Sequence, residues 1–103
     1  MNRVIMYRSG RINVVISDEL EPKFIAMHEE YPDVEFRVNH EPDITINPRD
    51  IPQFRFMVDD KEVMRISGWM SPQTLKHAID NAFKPMEYVP ANQTNITTTK
   101  EVQ

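Results

Sequence analysis

Apolar residues recur with two different spacings along the chain, and each change of spacing marks an element. Arg3–Tyr7 and Ile12–Ile16 are short β-branched and apolar runs separated by Arg8-Ser9-Gly10-Arg11, a turn signal, so the simplest reading is a hairpin. Leu20, Phe24, Met27 and Tyr31 then fall at i, i+4, i+7 and i+11, one face of a helix that Ile25 widens. Ser17 and Asp18 offer caps for it, and Asp18 with Glu21 has capping-box spacing. Pro22 lies early enough to kink the helix without destroying it. Pro32-Asp33 ends it.

Val34–Val38 alternates like a half-exposed strand. Residues 39–51 are polar and proline-punctuated, with Ile44 and Ile46 as anchors for a short, irregular helix. Phe54–Val58 alternates again, Asp59-Asp60-Lys61 is a turn, and Glu62–Ser67 returns as a paired strand. Ser71-Pro72 is an N-cap followed by proline at the first helical position, a strong helix start. Leu75, Ala78, Ile79, Ala82 and Phe83 give this helix its buried face, and Pro85 closes it. The expected order is β-β-α-β-(short α)-β-β-α, a central mixed sheet flanked by helices. Residues 1–85 form one α/β domain, and 86–103, rich in Asn, Gln, Thr and Pro, form a flexible polar tail.

Composition narrows the function. The 103 residues suit one domain with a modest core. No stretch approaches the roughly 18 apolar residues of a membrane span, and the N-terminus lacks the pattern of a secretory signal, so a cytoplasmic location with no membrane partner is expected. Residues 17–50 carry ten acids against three bases, and the net charge of −4 argues against a nucleic-acid partner. Arg3, Arg8 and Arg11 read as solvated strand-end charges. The absence of cysteine removes thiolate nucleophiles, disulfides and thiolate metal sites together. His28, His40 and His77 are scattered without ligand spacing, so no metal and no cofactor is expected. Asp59-Asp60 and Glu29-Glu30 read as a turn and a helix surface, not as acid–base pairs.

The segment from Ile51 to Phe83 resembles the C-terminal half of a thioredoxin. Ile51-Pro52 precedes a strand, Asp59-Asp60-Lys61 makes the hairpin turn, Gly68 ends the second strand and Ser71 caps an amphipathic last helix. Upstream, Glu21-Pro22 and Phe24–Tyr31 resemble the family's long proline-kinked helix, and Val34–Val38 the strand after it. The resemblance spans roughly residues 12–84. It implies a thioredoxin-like fold and a cis Ile51–Pro52 bond facing the loop that is the active site in the family. The Trp-Cys-x-x-Cys segment is missing. With Ile12–Ile16 as a strand, Ser17-Asp18-Glu19-Leu20 takes its place; counting back from Pro22 instead puts Val14 and Ser17 at the two cysteine positions. The β-branched run favours the first register. The middle helix should be truncated, because the loop before Pro52 is short. Sulfur exchange needs an attacking thiolate, so no enzymatic redox activity is expected.

What remains is a non-catalytic protein-binding module. The loop around the cis-proline would offer free backbone groups to an extended peptide, with Ile51, Pro52, Gly68, Trp69 and Met70 as the binding surface and Ser17, Asp18 and Glu19 on its rim. Trp69 either anchors a partner or folds back as a lid on the core. Two alternatives stand beside this. Tyr7-Arg8-Ser9-Gly10-Arg11 faintly resembles the start of a glutathione transferase, with Tyr7 or Ser9 activating a bound thiol. The other is a structural subunit that self-associates as a homodimer through a sheet edge or the same patch.

Overall fold

The computed structural model describes residues 1–40 and 46–84. Ile44 and the proposed tail at 86–103 lie outside the described residues. Four strands form one mixed sheet in the order β2-β1-β3-β4: β1 Asn2–Tyr7, β2 Val34–Asn39, β3 Gln53–Val58 and β4 Lys61–Ser67. β1 runs parallel to β2 and antiparallel to β3, which pairs antiparallel with β4. The helices α1, Val14–Ala26, and α2, Pro72–Ala82, complete the domain, with short 3-10 turns at Met27–Glu29 and Pro48–Asp50. Among the described residues the middle element is a 3-10 turn, which follows the buried Ile46.

Alternation divides the sheet into two unlike faces. Val4, Met6, Phe54 and Phe56 point to one side and are fully buried, joined there by Phe36, Val38, Met64 and Ile66. Leu20, Phe24 and Met27 from the α1 side and Leu75, Ala78 and Ile79 from α2 pack on this same side. Phe24 sits at the centre, its ring edge-on to Phe36 at 5.3 Å and tilted against Phe54 at 5.7 Å. Losing a buried phenylalanine of this kind costs about 3–5 kcal/mol. The opposite side carries Arg3, Ile5, Tyr7, Arg37, Arg55 and Arg65, and among the described residues no helix covers it.

The turn chemistry follows the sequence closely. Asp59 and Asp60 both have positive φ, 50° and 69°, as a two-residue hairpin loop requires. The Ser71 hydroxyl accepts from the Thr74 amide at 3.1 Å, with Pro72 first in α2.

One expected element is not formed. Ile12–Ile16 is not a strand: Ile12 lies in a loop, Asn13 takes the cap position and Val14–Ile16 open α1. Three hydrogen bonds explain the change. The Ser9 hydroxyl accepts from the amides of Arg11 and Ile12, folding the loop on itself, and the Ser17 amide donates to the Asn13 carbonyl at 3.0 Å, which starts the helix. Both sides of β1 are already taken by β2 and β3, so a hairpin partner has no edge to join. Ser17 and Asp18 consequently lie inside the helix and do not cap it, and the expected capping box with Glu21 is absent.

Candidate functional site

Three segments meet at one end of the sheet. The Ile51–Pro52 peptide bond is cis. The Gly68 amide donates to the Pro52 carbonyl at 2.8 Å, tying the end of β4 to the start of β3. The Asn13 side-chain amide donates to the Ile51 carbonyl at 2.6 Å, bringing the N-terminus of α1 onto the same loop. Gly68 has φ +90°, a conformation that a side chain would strain, and it turns the chain outward after β4. Trp69 follows at 57% exposure, and Met70 returns to the core at 6%.

The site residues therefore divide by role. Ile51, Pro52 and Met70 bury their side chains, so Trp69 carries the apolar surface of this end. Val15, which the sequence pattern places in a strand, is instead exposed in the first turn of α1. The free backbone groups expected at Ile51 are engaged within the chain: its amide donates to the Pro48 carbonyl at 3.2 Å, and its carbonyl accepts from Asn13. An extended peptide pairing here must displace Asn13 or share the carbonyl's second lone pair.

Ser17 is fully buried and its hydroxyl has no partner among the described residues, so it contributes nothing to a rim. Glu19 is exposed on α1. Asp18 reaches sideways to Arg8 at 2.7 Å, and Glu21 holds the other guanidinium arm at 2.8 Å. Arg8 was expected in solvent and is instead buried under α1, its amide extending the β1–β2 ladder to the Asn39 carbonyl. Its two carboxylates hold the guanidinium charged against the opposing effect of burial. Removing either partner would leave a buried charge short of compensation.

Asn13 is the residue that sequence reasoning missed. Its signal was present, because asparagine is among the few non-glycine residues that enter the left-handed region, and Asn13 does so at φ 52°. Tyr7 and Ser9 are both committed elsewhere. The Tyr7 ring lies 4.5 Å under the Arg55 guanidinium, and the Ser9 hydroxyl oxygen closes its own turn. Among the described residues no group of His, Asp or Glu is placed to hold a metal ion, and no helix is long and apolar enough to cross a membrane.

No protein-family model and no curated protein matches the sequence. Solved structures do. Fasciola hepatica thioredoxin matches with a TM-score of 0.61 and 26% identity, over 79% of this chain and 80% of that one. Thioredoxin O2 from Arabidopsis thaliana gives 0.63 at 15% identity, over 82% and 76%. A chain from work on thiol resolution in yeast mitochondrial 1-Cys peroxiredoxin gives 0.63 at 24%, over 78% and 77%.

The fold is thioredoxin-like.

This thioredoxin-like chain differs from its redox neighbours in the chemistry it can support, since none of its 103 residues is a cysteine. Because α1 starts at Val14, the register that fits is the count back from Pro22, with Val14 and Ser17 at the two cysteine positions. The strand over Ile12–Ile16 that favoured Ser17-Asp18-Glu19-Leu20 as the replacement segment is therefore lost. Where a dithiol would stand, the chain has a half-buried valine and a sealed serine.

Proposed function

We propose that this domain is a non-catalytic protein-binding module that engages its partner at the end of the sheet formed by Ile51, Pro52 and Gly68, with Trp69 as the anchor. The observation that carries this reading is Trp69 itself. A tryptophan exposed by more than half, directly beside a loop held in place by buried Ile51, Pro52 and Met70, is a rigid apolar contact on a fixed base. Such residues are enriched among the few that dominate binding energy. The anchor reading is preferred to the lid reading because Met70, not Trp69, fills the core. In this reading Asp18 and Glu19, both exposed on α1, supply the acidic border.

The absence of a thiol supports a non-enzymatic role, since disulfide exchange has no nucleophile here. The test is photo-crosslinking from position 69. A benzophenone amino acid at this position should capture one specific partner, while the same probe at exposed Lys61, on the far hairpin, should not. Equal capture from both positions would refute the assignment of this surface.

A further inference from the structure

The second face of the sheet carries a row of cations that the loop-end site does not use. In register, Arg37 of β2 lies beside Ile5 of β1, Ile5 beside Arg55 of β3, and Arg55 beside Arg65 of β4. With strands about 4.8 Å apart, three arginines and one isoleucine thus form a single line across all four strands. Arg55 and Arg65 are direct cross-strand neighbours, a like-charge placement that destabilises a sheet.

Local acids balance the ends of this row and leave its centre. Glu35 pairs with Arg3 at 3.0 Å and with Arg37, and its carboxyl is held below the usual range by those two guanidinium groups. Glu62 takes both arms of Arg65, at 2.6 and 2.8 Å. Among the described residues Arg55 has no ion pair. Its Nε donates to the Gln53 Oε1 at 2.8 Å, and its guanidinium rests over the Tyr7 ring. Two neutral contacts therefore orient it, and among the described residues no carboxylate pairs with it directly, its charge acting on Glu62 only through space. Among the described residues, Arg3, Arg37, Arg55 and Arg65 of this face meet three acids, Glu35, Glu62 and Asp60, the last paired with Arg3 at 3.3 Å. The arginine left without a carboxylate partner is Arg55, on a molecule whose net charge is −4.

We infer that the open sheet face is a second docking surface, centred on Arg55 and flanked by Arg65, Arg37 and Tyr7, for an acidic extended segment of a partner protein. The charge complementarity specifies the occupant. A single carboxylate side chain can sit between Glu35 and Glu62 and meet the fork of Arg55 in bidentate fashion. A continuous row of phosphates would run over those two glutamates, which disfavours a nucleic acid, whereas a segment that offers one carboxylate among uncharged residues sets its charge on Arg55 alone. Ile5 and the Tyr7 ring provide the apolar floor on which an extended backbone can lie. This inference deepens the binding-module reading by adding a second surface to it, and it can fail without that reading failing.

The test uses an eight-residue threonine-rich peptide with one central glutamate, its glutamine counterpart, inorganic phosphate and an oligothymidylate, each titrated by NMR against the full chain. The acidic peptide should shift the Arg55 and Arg65 side-chain signals and bind at least tenfold more tightly than the glutamine peptide. Arg55→Gln and Arg65→Gln should each weaken it about tenfold, with folding checked by circular dichroism. Lys76→Gln removes the same charge from α2 on the opposite side of the sheet and should have no effect. Equal binding of the two peptides, an effect of Lys76→Gln as large as that of Arg55→Gln, or tighter binding of the oligothymidylate would each overturn the inference. Specific crosslinking from position 69 with no acidic-peptide binding would refute this surface and leave the loop-end module standing.

Discussion

Replacing Ser17 by alanine removes a hydroxyl that α1 carries into the core, and the expected result is a more stable domain. Ser17 is fully buried and its oxygen has no hydrogen-bond partner among the described residues. Burying a polar group without compensation costs about 1–3 kcal/mol in proteins. Alanine also gains about half a kcal/mol of helix propensity over serine at a helical position. Against this, the void left by one oxygen costs roughly half a kcal/mol at about 24 cal/mol per Å³. The net expectation is a gain of about 1–3 kcal/mol. For a domain of this size each kcal/mol raises Tm by about 4–8 °C. Urea denaturation should show a higher midpoint with an unchanged slope. A loss of about 1 kcal/mol or more would mean that the hydroxyl has a partner, and the account of Ser17 as an unsatisfied buried hydroxyl would fail.

Cysteines placed at Val14 and Ser17 should oxidise to a disulfide with the fold retained, seen as a mass loss of about two hydrogens, because a Cys-x-x-Cys in the first turn matches the family register; a pair at Ser17 and Leu20 should unfold the domain, since it removes a core leucine. The opposite pattern would restore the rejected register. Tyr31 gives a pH test: burial first, then its hydrogen bond to Asp80 and the charges of Asp80 and Glu30, push its phenol up to about 12 from the ordinary 10.0. Its contribution to stability is complete below about pH 10 and is lost as pH rises through 12. Urea unfolding from pH 9 to 12 should therefore fall less steeply in Tyr31→Phe than in the parent chain, and parallel curves would contradict the assignment.

Much of the fold was legible where a residue type has one backbone use. Ser71-Pro72 marked the start of α2, Asp59-Asp60 the hairpin and Gly68 the exit from β4, because each supplies a cap or a positive φ that few other residues tolerate. Ile12–Ile16 misled because β-branched runs suit strands, and nothing local reveals that β1 already has neighbours on both sides. That competition is settled only in three dimensions. The same holds for the candidate site. Trp69 could be placed beside Gly68 from the sequence, but its exposure depends on Met70 taking the core position. Asn13 closing on Ile51 is a contact across 38 residues, and the arginine row exists only once four strands are in register.

The central claim, that Trp69 is an anchor for a partner and not part of the core, is tested most directly on Trp69→Ala by measuring unfolding free energy and affinity for the crosslinked partner together. Complete burial of a tryptophan would make its truncation cost about 3–5 kcal/mol; with 57% of Trp69 exposed and no closed cavity left behind, the expected loss is only about 1–2 kcal/mol. Binding should weaken by about 2 kcal/mol or more, close to thirtyfold in Kd. A stability loss of about 3–5 kcal/mol with unchanged affinity would contradict the account, because Trp69 would then be a lid on the core and the binding surface would lose its anchor.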